Sequence, residues 1–250
     1  MRKGGRTGTV GGPDRLLGAW FADHGRDLPW RRTRDPYAIL VSEVMLQQTQ
    51  VGRVVPRYLE WLRRWPTARA LAATSPADVI RAWQGLGYNR RALNLHRASC
   101  VVVGNGWPDD LTKLPGVGPY TAAAISSFAF GKPVLPIDTN VRRVQKRSDL
   151  EFSHESGHAL MDLGAMVCLA RVPRCDRCPL AELCPSRGMR FEPLRRQSAF
   201  EGSFRQRRAA MLRLVAEADQ PLDELDLDVV ESLRRDALVT VADGVVTLPQ

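Results

Sequence analysis

Apolar residues recur at helical spacing in eight successive stretches of the chain. These are Asp14–His24, Tyr37–Val51, Val54–Trp65, Ala68–Ala73, Pro76–Gln84, Arg90–Gly104, Pro119–Phe130 and Thr139–Arg147. Turn signals separate them: Leu28-Pro29-Trp30, Trp65-Pro66, Gly85-Leu86-Gly87, and the run from Gly104 to Pro108. Many helices with short connections and no strand alternation predict an all-α body over the first two-thirds of the chain. The pattern changes near residue 190. Arg190–Gln206 is polar and basic and reads as a linker, followed by helices over Gln206–Asp219 and Asp228–Asp236. Ala237–Val241 and Val245–Leu248 then alternate like strands around Asp243-Gly244, a hairpin turn. Helices followed by a hairpin predict a small winged-helix-like module. Contact with DNA and packing against the body both fit such a module, although the acidic stretch Pro221–Glu231 would repel phosphates.

Composition narrows the class of partner. At 250 residues with 44% hydrophobic content the chain is long enough for one large or two modest domains. Lys and Arg number 36 against 27 Asp and Glu, a formal charge of +9. A polyanion suits that surplus, because each cation placed on a phosphate releases a counterion; charge alone equally describes a merely soluble basic protein. No apolar run is long enough to cross a bilayer, and the N-terminus has no secretory apolar region. Residues 1–12, rich in Gly and Arg, read as a disordered basic tail. The expected setting is cytoplasmic, with no membrane partner, where thiols stay reduced and a disulfide framework is disfavoured.

Three features carry candidate chemistry. Gly116 and Gly118, two residues apart in Leu114–Ala122, allow a tight turn that brings backbone N–H groups to a phosphate, with a helix starting at Pro119. Twenty residues beyond Gly118 stands Asp138, which also fits a helix cap before Thr139. Four of the five cysteines fall in one short stretch as Cys168-x₆-Cys175-x₂-Cys178-x₅-Cys184. On chemistry alone four thiolates suit zinc or an iron–sulfur cluster, although structural zinc sites usually come as two tight pairs and only one is present. Arg171, Arg174 and Arg177 are threaded through the same stretch, as phosphate contacts or as a solvated basic loop. Cys100, alone in an apolar helix, reads as a buried core thiol.

Leu114–Ala122 followed by Ile137–Val144 resembles the helix-hairpin-helix, Gly/Pro-rich loop and aspartate of the DNA glycosylase superfamily that includes endonuclease III. Within it, Leu28–Arg31, Ser42–Gln50, Gly85–Tyr88 and Met161–Met166 resemble the MutY adenine glycosylases, and the similarity runs from about Leu28 to Cys184. The resemblance implies an all-α helix-hairpin-helix fold: an iron–sulfur domain over 13–28 and 135–190 and a six-helix barrel over 29–134. The linker and winged-helix-like module would occupy 191–250. It also implies a [4Fe–4S] cluster on Cys168, Cys175, Cys178 and Cys184, with Arg171, Arg174 and Arg177 on a DNA-contacting loop.

Base removal proceeds through a cationic sugar and needs an acid for the leaving base and a group that stabilises the cation; the nucleotide must first leave the stack. The resemblance makes Glu43 the acid, and its apolar run Ile39–Leu46 predicts burial that favours the protonated form. It makes Asp138 the carboxylate facing the sugar, with Tyr120 and Asn140 assisting in the same pocket. Relatives that cleave the strand carry a lysine where Tyr120 stands, so a monofunctional glycosylase is expected. Gln48 and Tyr88 match residues that wedge into the duplex; Leu28, Trp30 and Arg31 match the wall around the extruded adenine.

The chain departs from the family in three places. Only 27 residues separate Asn140 from Cys168, as if a helix were missing. His158 stands where many adenine glycosylases have Gln or Glu. The tail after Cys184 is too short for the Nudix-like domain many members carry, and Phe152-Ser153-His154 is similar to a tripeptide of that domain at a different place. The expected activity is removal of adenine opposite 8-oxoguanine or guanine by a monomeric, nucleoid-associated enzyme acting on double-stranded DNA. Removal of thymine or uracil opposite guanine is the enzymatic alternative. A non-catalytic Fe–S DNA-binding protein is the alternative of another class.

Overall fold

The computed structural model describes residues 12–192 and 199–250; the expected basic tail, apart from Gly12, lies outside them. Eleven α-helices are formed among the described residues: α1 (Gly12–His24), α2 (Pro36–Leu46), α3 (Val51–Arg64), α4 (Ala68–Ala72), α5 (Pro76–Trp83), α6 (Arg90–Asn105), α7 (Pro119–Phe128), α8 (Thr139–Ser148), α9 (Gly157–Met166), α10 (Phe204–Glu217) and α11 (Leu227–Arg235). The strands β1 (Gln220–Pro221), β2 (Thr240–Ala242) and β3 (Val245–Thr247) form an antiparallel sheet of order β1-β3-β2. Among the described residues no helix is long and apolar enough to cross a membrane.

Two compact units divide the chain. One takes residues from Met1–Leu28 and Ala123–Arg196, the other from Pro29–Ala122 and Gln197–Gln250, so the boundary falls inside α7. In the second unit α2 starts where Asp35 accepts the Tyr37 amide at 3.1 Å and Pro36 takes the first helical position. The unit's aromatic centre is edge-to-face: Trp61 meets Trp65 and Trp83 at 4.6 and 5.4 Å between ring centroids. The C-terminal residues share a core with it. Met211, Leu212, Val215, Val229, Val230, Leu233 and Val246 pack in one buried cluster with Ala77 and Ile80 of α5 and Leu93 of α6. Arg81 donates to the Ala216 carbonyl at 3.1 Å beside it.

In the first unit Leu17 and Trp20 of α1, Val141 and Val144 of α8, and Leu160 and Leu163 of α9 form the core, with Val167 and Leu180 from the cysteine loop. Asp14 accepts from the Ser153 amide at 3.1 Å and from the Ser156 hydroxyl at 2.5 Å. Arg26 donates to the fully buried Asp162 from its amide at 2.8 Å and its guanidinium at 2.8 and 2.6 Å. Phe152 packs on the core and Ser153 binds Asp14, so the 152–154 tripeptide closes the short α8–α9 connection.

Several expectations change. The helix read over Tyr37–Val51 ends at Leu46, because the backbone turns left-handed at Gln48 (φ 56°) before α3 begins. Helix α9 had no clear periodic signal: two glycines weaken it, and Ala159, Leu160, Asp162 and Leu163 are buried around much of its girth. β1 is only two residues long and carries a proline, too short to show alternation. Cys100 is exposed rather than buried; α6 turns Ala92, Leu95, Ala98 and Ser99 inward and leaves Cys100 on its outer side.

Candidate active site

Glu43 lies in the middle of α2 and is 6% exposed, and every residue from Tyr37 to Met45 is buried. A helix so enclosed has no solvent face, and its one carboxyl is carried inward with it. Downstream in the same unit, Val117 donates its amide to the Leu114 carbonyl at 3.1 Å to close the glycine turn, and Pro119 opens α7. Gly116 is required there twice over: its φ is 76°, and a Cβ would lie 2.7 Å from the Asn94 Cβ. Gly118 differs, since a Cβ there would meet nothing within 4 Å, so packing within the protein does not demand it. Tyr120 follows half-buried in the first turn of α7.

Trp30 is buried in a 3-10 turn, Pro29–Arg31, and meets Tyr58 edge-to-face at 5.3 Å; Arg31 is half-buried beside it. Gln48 and Tyr88 are both exposed and both left-handed, with φ of 56° and 48°. These turns belong to the second unit, whereas Leu28, buried, ends the N-terminal stretch of the first.

The first unit holds the other carboxylate. Asp138 caps α8, one oxygen accepting the Val141 amide at 2.6 Å and the other the Asn140 side-chain amide at 2.9 Å. The Asn140 carbonyl oxygen accepts from Arg143 at 2.7 Å, and the same guanidinium donates to the Gly164 and Cys168 carbonyls at 2.6 and 2.7 Å. Burial lowers the pKa of Arg143 from its ordinary value. Gly164 permits this approach of α9 to α8, because a Cβ would come within 2.6 Å of the Asn140 Cβ. A short bonded chain thus runs from Asp138 to the first cysteine of the loop. The sequence marks Arg143 only as one of two adjacent arginines, and Gly164 only as a helix-weakening residue. His158 stacks on Phe128 at 3.9 Å with 17° between the rings.

Cys168, Cys175, Cys178 and Cys184 line one cavity of about 30 Å³ with Arg147. Arg147 donates to the Cys168 sulfur at 3.5 Å and to the Leu169 and Ala170 carbonyls at 2.6 Å each, with its guanidinium 3.6 Å from the centre of the Phe191 ring. The Gly188 amide points at the Cys175 sulfur at 3.3 Å. Burial pushes the Cys178 thiol up to about 11 and raises Cys184, so a bare thiolate is disfavoured and a cationic group at the cavity would offset that cost. Among the described residues no three metal-ligating side chains converge as a single ion would need. As a donor set, four thiols lining one cavity, with donors at two of the sulfurs, suit a [4Fe–4S] cluster or a tetrahedral ion. Arg171, Arg174 and Arg177 are exposed on this loop; Arg174 also donates its amide to the Val167 carbonyl at 2.9 Å.

Residues 41–161 match the model of the HhH-GPD superfamily of base excision DNA repair proteins. An adenine DNA glycosylase of Mycobacterium tuberculosis is 41% identical over 284 aligned positions, covering 94% of this chain and 93% of that one. Among solved structures, a thermostable thymine-DNA glycosylase is 30% identical at a TM-score of 0.60, covering 68% of this chain and 92% of its own. Endonuclease III trapped as a covalent intermediate with DNA is 26% identical at a TM-score of 0.59, covering 69% and 92%. Fold, motif and identity over nearly the whole length agree: this chain belongs to the adenine DNA glycosylases of the HhH-GPD superfamily.

Proposed function

We propose that this DNA glycosylase removes adenine opposite 8-oxoguanine or guanine in double-stranded DNA, without strand cleavage. The observation that carries the acid assignment is the buried Glu43 within the enclosed helix α2. A carboxyl enclosed in this way is the group proposed to give a proton to the adenine ring. As the bond from the sugar to the base breaks, its electron pair leaves with the protonated base and the sugar becomes cationic. Asp138, held by the Val141 amide and the Asn140 side chain, supplies the negative charge for that cation. Water then adds to the sugar carbon and gives up a proton to the carboxylate left at Glu43, which restores the acid and leaves an abasic site.

The [4Fe–4S] cluster belongs to the same proposal, held by Cys168, Cys175, Cys178 and Cys184. Its part is structural: it ties down the loop that offers Arg171, Arg174 and Arg177 to phosphates. Supporting this, the loop's backbone is anchored on Arg147 and Arg143. The protein acts as a monomer in this reading. Gln48 and Tyr88 enter the duplex, Gly116 and Gly118 present amides to its backbone, and Leu28, Trp30, Arg31 and His158 line the base pocket.

Excision from duplexes bearing A:8-oxoG, A:G, T:G or U:G, with Glu43→Gln and Asp138→Asn as controls, tests the reading. Excision of adenine alone, lowered roughly 10²- to 10⁴-fold by Glu43→Gln, is expected. Preferential release of thymine would favour the alternative substrate, which the likeness to a thymine-DNA glycosylase keeps in the panel. Equal excision by the wild type and Glu43→Gln would remove Glu43 from the chemistry.

A further inference from the structure

Arg91 is a buried arginine that the reaction as proposed does not use. It stands at the second position of α6, 8% exposed, between the rings of Trp83 and Tyr88 at 5.2 and 5.6 Å. Its guanidinium makes seven hydrogen bonds across two separate turns. One nitrogen donates to the Val44, Met45 and Gln47 carbonyls at 2.8, 3.0 and 2.6 Å, at the C-terminal end of α2. The other donates to the Thr49 hydroxyl at 3.1 Å and to the Leu86 and Gly87 carbonyls at 3.2 and 2.9 Å. Nε reaches the Tyr88 carbonyl at 3.3 Å.

The acceptors flank two left-handed residues, Gln48 (φ 56°) and Tyr88 (φ 48°), the second following Gly85 and Gly87 at φ 88° and 74°. Non-glycine residues hold that conformation only where their surroundings over-determine it. Here one planar, permanently charged fork satisfies the carbonyls of both turns. Burial lowers Arg91 to about 10, so it stays charged at neutral pH. Trp83 adds a bond to the Gly87 carbonyl at 3.1 Å, and the Thr49 hydroxyl reaches towards the Leu86 carbonyl at 3.5 Å. The two turns are far apart in sequence, with α3, α4 and α5 between them, and Arg53 of α3 also donates to the Gly85 carbonyl.

We infer that Arg91 is a positioning residue that locks the Gln48 turn and the Tyr88 turn into one rigid element, so that both side chains enter the duplex as a single wedge. This rests on the reading of Gln48 and Tyr88 as wedge residues. Two independently mobile turns would have to be ordered separately on DNA; a shared guanidinium fixes their spacing before binding. Lysine cannot replace it, because an ammonium offers three donors from one point and cannot bridge both sets of carbonyls.

The test uses the full-length protein carrying Arg91→Lys, with Thr49→Val as a milder cut of the same network. Hydrogen–deuterium exchange reads residues 47–50 and 85–88, 2-aminopurine beside the mismatch reads unstacking, and single-turnover excision reads the outcome. In Arg91→Lys, exchange rises in both turns together, the 2-aminopurine signal falls, and excision drops roughly 10²-fold, the scale of a misplaced binding element. Gln48→Ala and Tyr88→Ala, each costly and non-additive in the wild type because they act as one wedge, come closer to additive in the Arg91→Lys background. Should Arg91→Lys fail to fold, Thr49→Val carries the test with the same pattern at smaller amplitude. Faster exchange in one turn only, or unstacking and excision like the wild type in either variant, would overturn the inference. A different result marks failure of the wedge reading: both turns loosen together, yet Gln48→Ala and Tyr88→Ala leave unstacking and excision unchanged.

Discussion

Asp138 has a structural duty and a proposed chemical one, and the two separate by substitution. Its carboxylate holds the Val141 amide as a helix cap while its second oxygen is bonded to Asn140. Asparagine is nearly as good a cap, so Asp138→Asn should melt close to the wild type while excision is lost. Asp138→Ala should in addition lower stability by about 1 kcal/mol, the usual worth of a cap, measured by denaturant titration. Equal excision by Asp138→Asn and the wild type would leave Asp138 only the cap. Tyr120 gives a second residue-scale prediction: without an amine at that position no Schiff base forms, so borohydride should trap no covalent complex with DNA. Trapping at Tyr120→Lys but not in the wild type would place this side chain within reach of the sugar.

At the scale of elements, close approach decides what α8 and α9 can do. Arg143 reaches Asn140, Gly164 and Cys168 because α9 has no side chain at Gly164. Gly164→Ala would set a Cβ 2.6 Å from the Asn140 Cβ and 3.0 Å from its Cα and carbonyl oxygen. Overpacking of that kind costs about 1–3 kcal/mol. The expected outcome is a lower melting temperature together with weaker excision, since Asn140 must shift and Asp138 is bonded to it. A variant with native melting and native excision would show that the helices part without consequence. Helix α2 illustrates the opposite limit: its apolar residues surround Glu43, so its sequence shows hydrophobicity without a face.

For the whole molecule, charge and burial point to different duties for different parts. Residues 199–250 carry six arginines against ten Asp and Glu, whereas the chain as a whole is +9. The module is therefore poorly suited to phosphates, and its buried face is already in a shared core with Ala77, Ile80 and Leu93. Ending the chain after Glu192 would expose Ile80 and Leu93, each worth about 1.5–3 kcal/mol when buried. A clear fall in melting temperature is expected; an unchanged one would make the module dispensable to the fold. DNA affinity should depend instead on the cysteine loop. Each of Arg171→Ala, Arg174→Ala and Arg177→Ala should reduce the slope of log affinity against log salt by about 0.9 if it removes one phosphate contact. An unchanged slope would leave that arginine solvated.

Local sequence was enough for the helices whose apolar stripe is regular and whose ends carry caps or prolines, such as α5, with Ser75 before Pro76, and α8 after Asp138. Spacing also marked the four cysteines and the glycine turn, because these chemistries need particular residues close together in the chain. What lay beyond it depended on contacts between distant residues. Gln48 breaks a helix that periodicity would continue, and Cys100 faces outward although the apolar run Val101–Val103 follows it in α6. Arg91, Arg143 and Arg147 read as three among many arginines until their guanidiniums are seen on carbonyls far away in sequence. A backbone carbonyl leaves no mark in the sequence, so a side chain that serves one cannot be told from a solvated cation. Residue types and spacing determined which chemistry this protein can hold; only the tertiary structure decided which charges are buried to hold it in place.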